Sequence, residues 1–420
     1  MLKAYPRHSV DISKKEYEKI LSLLFSSRML EGNYVSRFES LFAEYVNVRF
    51  AISMPSARLG LYALLKYFSF PEASEVIMTP FTHWSIFSVI KSCGLKPVFV
   101  DIDESTYNIT PAMVKDNITK KTKLLIITHI WGQPCEMDGF IGMKKEFGIK
   151  IIEDCAMACG ATYDNKKVGS FGDASIFSFG KAKSISTFGG GMFCTSNSEI
   201  CEGIRNIMLD FKDEKRGSLL VNIINTVIAS ILTKPPVFFI SLYPIMRLFN
   251  LRDPYNPIEH RKDTSIFLDD IPDEWRIKYS NIQAAAGIEQ LKNLDLRNEK
   301  RLENSGFLNE LLSDIEGIGL PLAGPRVKHI YLYYALLIKR DINLNAIRRK
   351  LLTLGVDSQL NELTSSKELG IFGVESKDYP VFNRISQNLL IIPNGINLGR
   401  SDIEYVASAF KKTWELFQSK

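Results

Sequence analysis

The heptapeptide FSFGKAK (177–183) sets two lysines, Lys181 and Lys183, just ahead of the glycine turn TFGGG. A partly buried lysine has its pKa lowered, is neutral part of the time, and can then attack a carbonyl or carry a proton. Other chemically useful groups stand at the ends of short apolar runs. Asp154 closes IKIIED, His129 closes KLLIITH, and Thr82 and His83 follow VIM at 76–78. Ser56, Ala57 and Arg58 follow the run 50–54 and open an apolar helical stretch. Free amides at a helix start make an anion site there, and the guanidinium adds charge. Singly, each has a plainer reading: an aspartate at a strand end is more often a cap, and a lone histidine is more often a structural side chain. Together they describe a pocket with an anion cradle, a carboxylate, an imidazole or aromatic plate, and a lysine.

The elements that must position these groups alternate. Helices over 14–30 and 34–46 precede a strand at 50–54. Then come strand 76–78, helix 84–93, strand 96–101, helix 111–117, strand 123–130, helix 137–147 and strand 149–154. Short β-rich apolar runs separated by helices predict an α/β fold whose mostly parallel sheet is covered on both faces. Ligands in such folds sit outside the carboxyl ends of the strands. After Arg276 the texture changes to a long helix, 281–311, then a smaller α/β unit with a strand at 331–338 and helices at 343–353 and 402–417. The expected division is therefore a large domain over 1–280 and a linking helix with a small domain over 281–420.

Composition narrows the function classes. The chain has 420 residues, 45% hydrophobic and 24% charged, with a net charge of +5. That is an ordinary globular balance, and with no basic tract it gives no argument for nucleic acid. The six cysteines form no C-x-x-C and no zinc spacing, so they read as reduced core thiols, and no metal is expected. The N-terminus lacks an apolar signal core, and a cytoplasmic protein is expected.

Residues 218–249 form an apolar excursion, broken by Lys234-Pro235-Pro236 into arms shorter than the ~20 residues that span a bilayer. In the first arm Leu220, Ile223, Ile224, Val227, Ile228, Ile231 and Leu232 share one helical face, and Asn222, Asn225, Thr226, Ser230 and Thr233 the other. The expectation is that protein covers the apolar face, at a subunit interface or beside the substrate entrance. A membrane-surface contact is the less favoured reading, because the polar face carries no Lys or Arg.

The set of groups around Lys183 matches the needs of pyridoxal phosphate (PLP). This cofactor requires a lysine for its Schiff base, a buried carboxylate to keep its pyridine nitrogen protonated, and ligands for its phosphate. The stretch IIEDCAMACGATYDNKKVGSFGDASIFSFGKAKSISTFGGGM resembles the signature of the DegT/DnrJ/StrS family of sugar aminotransferases, which have the aspartate-aminotransferase-like, type I PLP-transferase fold. LEGNYVSRFESLFAEYVNV, TPFTHWS, GLKPVFVDID, THIWGQPCEMD and YSNIQAAAGIEQLKNLD resemble further family segments in the same order, so the likeness covers roughly 15–415.

The resemblance implies roles residue by residue. The Schiff-base lysine lies four residues after the second Phe of F-S-F, which is Lys183; Lys181 is then a surface or phosphate-side neighbour. Asp154 pairs with the pyridinium nitrogen, and Ser178 donates to the phosphate. Ser56, Ala57 and Arg58 occupy the family's S-G-T phosphate turn, and His83 the position stacked on the ring, with Trp84 as the alternative. Met157 replaces the family's Gln or His beside the ring hydroxyl, and it hydrogen-bonds poorly. Arg276 and Lys278 stand where the family's N-x-R reaches the neighbouring subunit's site, which implies a homodimer. The implied function is transfer of an amino group, from a donor such as glutamate, to a nucleotide-linked keto sugar for surface polysaccharide or amino-sugar synthesis. Two alternatives are a sugar dehydratase of the same fold, which generally replaces the lysine with histidine, and a non-catalytic regulatory protein.

Overall fold

A computed structural model describes residues 3–249, 272, 275–361, 363–365, 369–370 and 373–418. Seven strands make the main sheet: β1 (Phe50–Met54), β2 (Glu75–Met78), β3 (Lys96–Phe99), β4 (Thr122–Thr128), β5 (Lys150–Asp154), β6 (Ala174–Ser178) and β7 (Gly191–Thr195). Their order is β1-β7-β6-β5-β4-β2-β3. β3, β2, β4, β5 and β6 pair in parallel, while β7 runs antiparallel to both β6 and β1. This is the α/β fold expected from the alternation, with its β-branched runs buried on both faces: Ile126, Ile127, Ile151, Ile152 and Ile176 are fully covered. Because only β7 is reversed, the carboxyl ends of the other six strands all emerge at one edge, and β7 starts there. Six separate loops can therefore aim side chains at a single place.

A second, antiparallel sheet comprises β8 (Ile318–Gly319), β9 (Tyr334–Ile338), β10 (Gln359–Leu360) and β11 (Leu389–Ile392), in the order β8-β9-β11-β10. Helices Leu344–Thr353 and Arg400–Gln418 cover it, and Leu336, Ile338, Ile347, Leu351, Phe410 and Trp414 form its core.

Several element boundaries differ from expectation for local reasons. The linking helix is two helices, Asn281–Lys292 and Leu294–Leu312. Asn293 between them turns its amide back to the Glu289 carbonyl, the competition with the helix ladder that asparagine favours. The first of the two starts where a Ser280–Gln283 capping box satisfies its free amides. The first helix of the chain stops at Leu24, and Ser26 caps a short turn over Ser27–Met29 instead. β3 ends at Phe99 because Asp101 leaves the sheet to accept the Val381 and Phe382 amides. β9 starts only at Tyr334, since the amides of Ile330 and Leu332 are bonded to Gly132 and Trp131 of the large domain.

The excursion forms helices Arg216–Leu232, Pro235–Ile240 and Leu242–Phe249. Leu219, Ile223, Thr226 and Ser230 face inward, in one cluster with Ile20, Leu23, Ile282, Ala285 and Ala286, while Leu220, Ile224, Ile228 and Ile231 face out. The hydroxyls can be buried because Thr226 donates to the Asn222 carbonyl and Ser230 to that of Val227, and Ser230 also meets the Tyr17 hydroxyl. No helix among the described residues is long and apolar enough to cross a membrane.

Candidate active site

The edge where six strands end collects most of the residues singled out by the sequence. Asp154 is the last residue of β5 and is buried. Its Oδ1 accepts the Ala156 amide at 3.0 Å. Burial raises the Asp154 pKa, against the opposing effects of that amide, of the Lys183 ammonium and of His129. Lys183 is half-buried, in a turn closed by its amide to the Gly180 carbonyl, whereas Lys181 is exposed. Of the two lysines it is Lys183 whose charge acts on Asp154.

On the other side of Asp154, Ser178 ends β6 and pairs with Gly191. Ser56 caps helix Ala57–Phe68, its hydroxyl accepting the Leu59 amide, and bridges to Gly190. The glycine turn must come this close. A Cβ on Gly191 would lie 2.4 Å from the Phe177 carbonyl oxygen and 2.8 Å from the Ala57 amide. Gly190 has φ +97°, and a Cβ there would strike Tyr279 at 2.3 Å. Arg58 stacks its guanidinium over Trp275 at 4.3 Å.

His83 caps helix Trp84–Ser92; its Nδ1 accepts the Ser85 amide, and the ring is exposed at the edge. Met157 is buried in the main core cluster. Arg276 and Lys278 lie elsewhere. Their segment pairs through Ile277 with Lys212; Lys278 meets Asp213 at 3.4 Å, and Arg276 lines a cavity of about 310 Å³ beside Leu59, Tyr62 and Lys66. Within one chain these two residues are therefore not gathered with Asp154.

His129 is fully buried and structural. Its Nδ1 accepts the Cys135 amide, so Nε2 carries the proton toward Glu153 at 3.3 Å. Glu153 in turn accepts the amides of Gly169, Phe171 and Gly172 at 2.7–2.8 Å. The acidic pair of β5 thus divides its work: Glu153 shapes the loop that feeds β6, and Asp154 faces the edge. Glu153→Ala strands three amides, each costing about 1–3 kcal/mol when left unbonded in the interior. It is expected to destabilise the chain by more than about 3 kcal/mol in urea unfolding, while a surface change such as Lys181→Ala leaves the midpoint in place.

With this geometry stands a family match over residues 10–218 and 274–411 to the DegT/DnrJ/EryC1/StrS aminotransferase family. The chain belongs to this family. An uncharacterised protein of Methanocaldococcus jannaschii, MJ1066, is 30% identical over 408 residues, 96% of this chain and 95% of that one. A GDP-perosamine synthase of Escherichia coli O157:H7 is 34% identical over 200 residues, 47% of this chain and 55% of that one. The solved structure of Helicobacter pylori PseC, an aminotransferase involved in pseudoaminic acid biosynthesis, superposes with a TM-score of 0.78 at 22% identity, covering 99% of this chain and 100% of that one. The DegT/DnrJ/EryC1/StrS match skips residues 219–273, which include most of the apolar excursion.

Sequence reasoning missed the residues that hold the lysine loop in place. Gln290 brackets Ser186, accepting its amide at 2.8 Å and donating to its carbonyl at 2.7 Å. Gln283 donates to the carbonyls of Thr187 and Gly189, and the Tyr279 hydroxyl reaches Thr187. The signal was present: Gln283 and Gln290 are seven apart, hence on one face, in an otherwise apolar helix start. Also unread was the N-terminal segment. Arg7 forms an ion pair with Asp357, the His8 ring packs tilted against Tyr333 with centroids 4.7 Å apart, and Asp11 pairs with Arg297. Arg7, His8, Asp11 and Tyr333, with Arg297, Arg301 and both lysines, line a cavity of about 50 Å³ at the loop. Burial and the neighbouring Arg297 lower the Arg301 pKa to about 10, and its guanidinium is bonded to the Asn298 amide oxygen.

Proposed function

We propose that this chain is a PLP-dependent aminotransferase transferring an amino group, from a donor such as glutamate, to the keto carbon of a nucleotide-linked sugar. The observation that carries the reading is the Asp154–Lys183 arrangement: a buried carboxyl held above its ordinary pKa with a single amide bond, and a half-buried lysine acting on it across one sheet edge. A carboxylate so placed is costly unless a cation meets it, and a protonated ring nitrogen is such a cation. The residues present therefore fit PLP. When bound, PLP supplies an electron sink for exchange of an amino group.

The chain's own residues would do the rest. Asp154 keeps the proton on the ring nitrogen. The N-terminus of helix Ala57–Phe68, with Ser178 and Arg58, receives the phosphate. Lys183 holds the cofactor and carries a proton at its Nζ. The small domain restricts water: Thr364 is bonded to the Thr82 carbonyl beside His83, and the Tyr333 hydroxyl reaches the Ala182 carbonyl of the lysine loop. The dehydratase alternative is disfavoured by a lysine at position 183. Nucleotide-linked keto sugars offered as a panel, with mass spectrometry of the products, test the substrate class. An amino sugar formed from one of them is expected, and no turnover of any would count against it.

Sites completed across a homodimer belong to the same proposal, with Arg276 and Lys278 serving the partner's phosphate. A Lys183→Ala chain mixed with an Arg276→Ala/Lys278→Ala chain is then expected to regain activity that neither has alone. A fully active monomer in light scattering would contradict this.

A further inference from the structure

The excursion helices leave an aliphatic surface uncovered. Among the described residues, eight of the sixteen large hydrophobics that are exposed fall between 216 and 248: Leu220, Val221, Ile224, Ile228, Ile231, Ile240, Ile245 and Leu248. The inner face is already satisfied by the cluster with Ile20, Ile282 and Ala285, so a simple rotation of the helix would not hide the outer one. The family match omits 219–273, so this surface lies outside the residues that carry that match. A contiguous apolar patch of this kind on a protein surface marks an interaction site.

Charge indicates the partner. Between 215 and 249 there is no Asp or Glu, and the cations Lys215, Arg216, Lys234 and Arg247 are all exposed, at the base, at the proline turn and in the third helix. Among the described residues, the acids that precede the segment do not offset them: Asp213 is paired with Lys278, and Glu214 is buried. A second protein would need hydrogen-bonding groups, about one per 100–200 Å² of interface. Along the outward stripe of the first helix Asn225 is the main group that could supply them. A bilayer needs none. Seventeen residues of helix span about 25 Å at 1.5 Å per residue, short of the ~30 Å hydrocarbon thickness, so the helix suits the plane of the surface and not a crossing.

We infer that helices 216–249 seat this protein on an anionic bilayer surface, with the aliphatic stripe in the acyl boundary and Lys215, Arg216, Lys234 and Arg247 at the headgroups. This reverses the preference drawn from the sequence. The cations that were missing from the polar face are supplied at the helix ends, and within one chain the outward aliphatic stripe is open.

Sedimentation of the full chain with vesicles tests this. Pelleting is expected with an equal mixture of phosphatidylcholine and phosphatidylglycerol at low salt, and little with phosphatidylcholine alone. Ile224→Ser/Ile228→Ser/Ile231→Ser and, separately, Lys234→Glu/Arg247→Glu are each expected to reduce pelleting by about tenfold or more. Because these side chains are exposed, both variants should keep the wild-type thermal midpoint, which controls for misfolding. Absence of wild-type pelleting with either vesicle overturns the inference, as does pelleting unchanged in both variants. Loss of oligomer size in the isoleucine variant, with no vesicle binding by wild type, would show that a second copy of the chain covers the face instead.

Discussion

Borohydride reduction of the PLP-loaded protein is expected to fix the cofactor to Lys183, with Lys183→Ala losing both the covalent label and all measurable turnover. Lys181→Ala is expected to keep both. The two lysines are two residues apart in one turn, and their surroundings separate them. Lys181 is solvent-exposed, while Lys183 is half-buried and acts on the buried carboxyl of Asp154. An amine must be neutral to attack a carbonyl, and partial burial favours the neutral form. Peptide mass mapping reads the result directly, and a label on Lys181 would displace the register counted from Phe179.

Asp154→Asn is expected to separate stability from catalysis. The asparagine carbonyl can still accept the Ala156 amide, so the local turn is retained. Burial raises the Asp154 pKa in the cofactor-free fold. The folded state therefore prefers the protonated form, a preference fully present below the ordinary carboxylate range and lost as pH rises through the folded value. At neutral pH the neutral amide should leave the thermal midpoint of the cofactor-free protein unchanged or raised. Turnover should fall at least ~10²-fold, the scale on which one preorganised electrostatic partner at a reacting centre acts. Retained PLP absorbance with lost turnover is the expected pair of observations. Wild-type turnover in this variant would remove Asp154 from its role.

The sheet was legible because its signal is local and repeated. Apolar runs such as LLII at 124–127 and II at 151–152 recur between helices, and the parallel order then fixes the edge where Asp154, Ser178, Ser56 and His83 must emerge. The assignment of Lys183 over Lys181 is a count along the chain from Phe179, and the borohydride label tests it. What could not be read depends on contacts distant in sequence. Gln283 and Gln290 matter because a helix about a hundred residues later packs under the lysine loop. Arg7, His8 and Asp11 matter because the N-terminal segment lies beside Asp357, Tyr333 and Arg297. Which face of helix Arg216–Leu232 packs on its own chain could not be read from hydrophobicity alone. Thr226 and Ser230, small and able to bond back to their own helix, take that side, and the bulkier isoleucines face out.

Nitrogen transfer tests the central claim most directly. The PLP-loaded protein is supplied with glutamate labelled with heavy nitrogen and with the nucleotide keto sugar it turns over, and the sugar product is weighed by mass spectrometry. The account predicts an amino sugar that carries the heavy nitrogen, in step with formation of 2-oxoglutarate. A product that has lost water and carries no heavy nitrogen would contradict it and assign the chain to the dehydratase chemistry of the same fold.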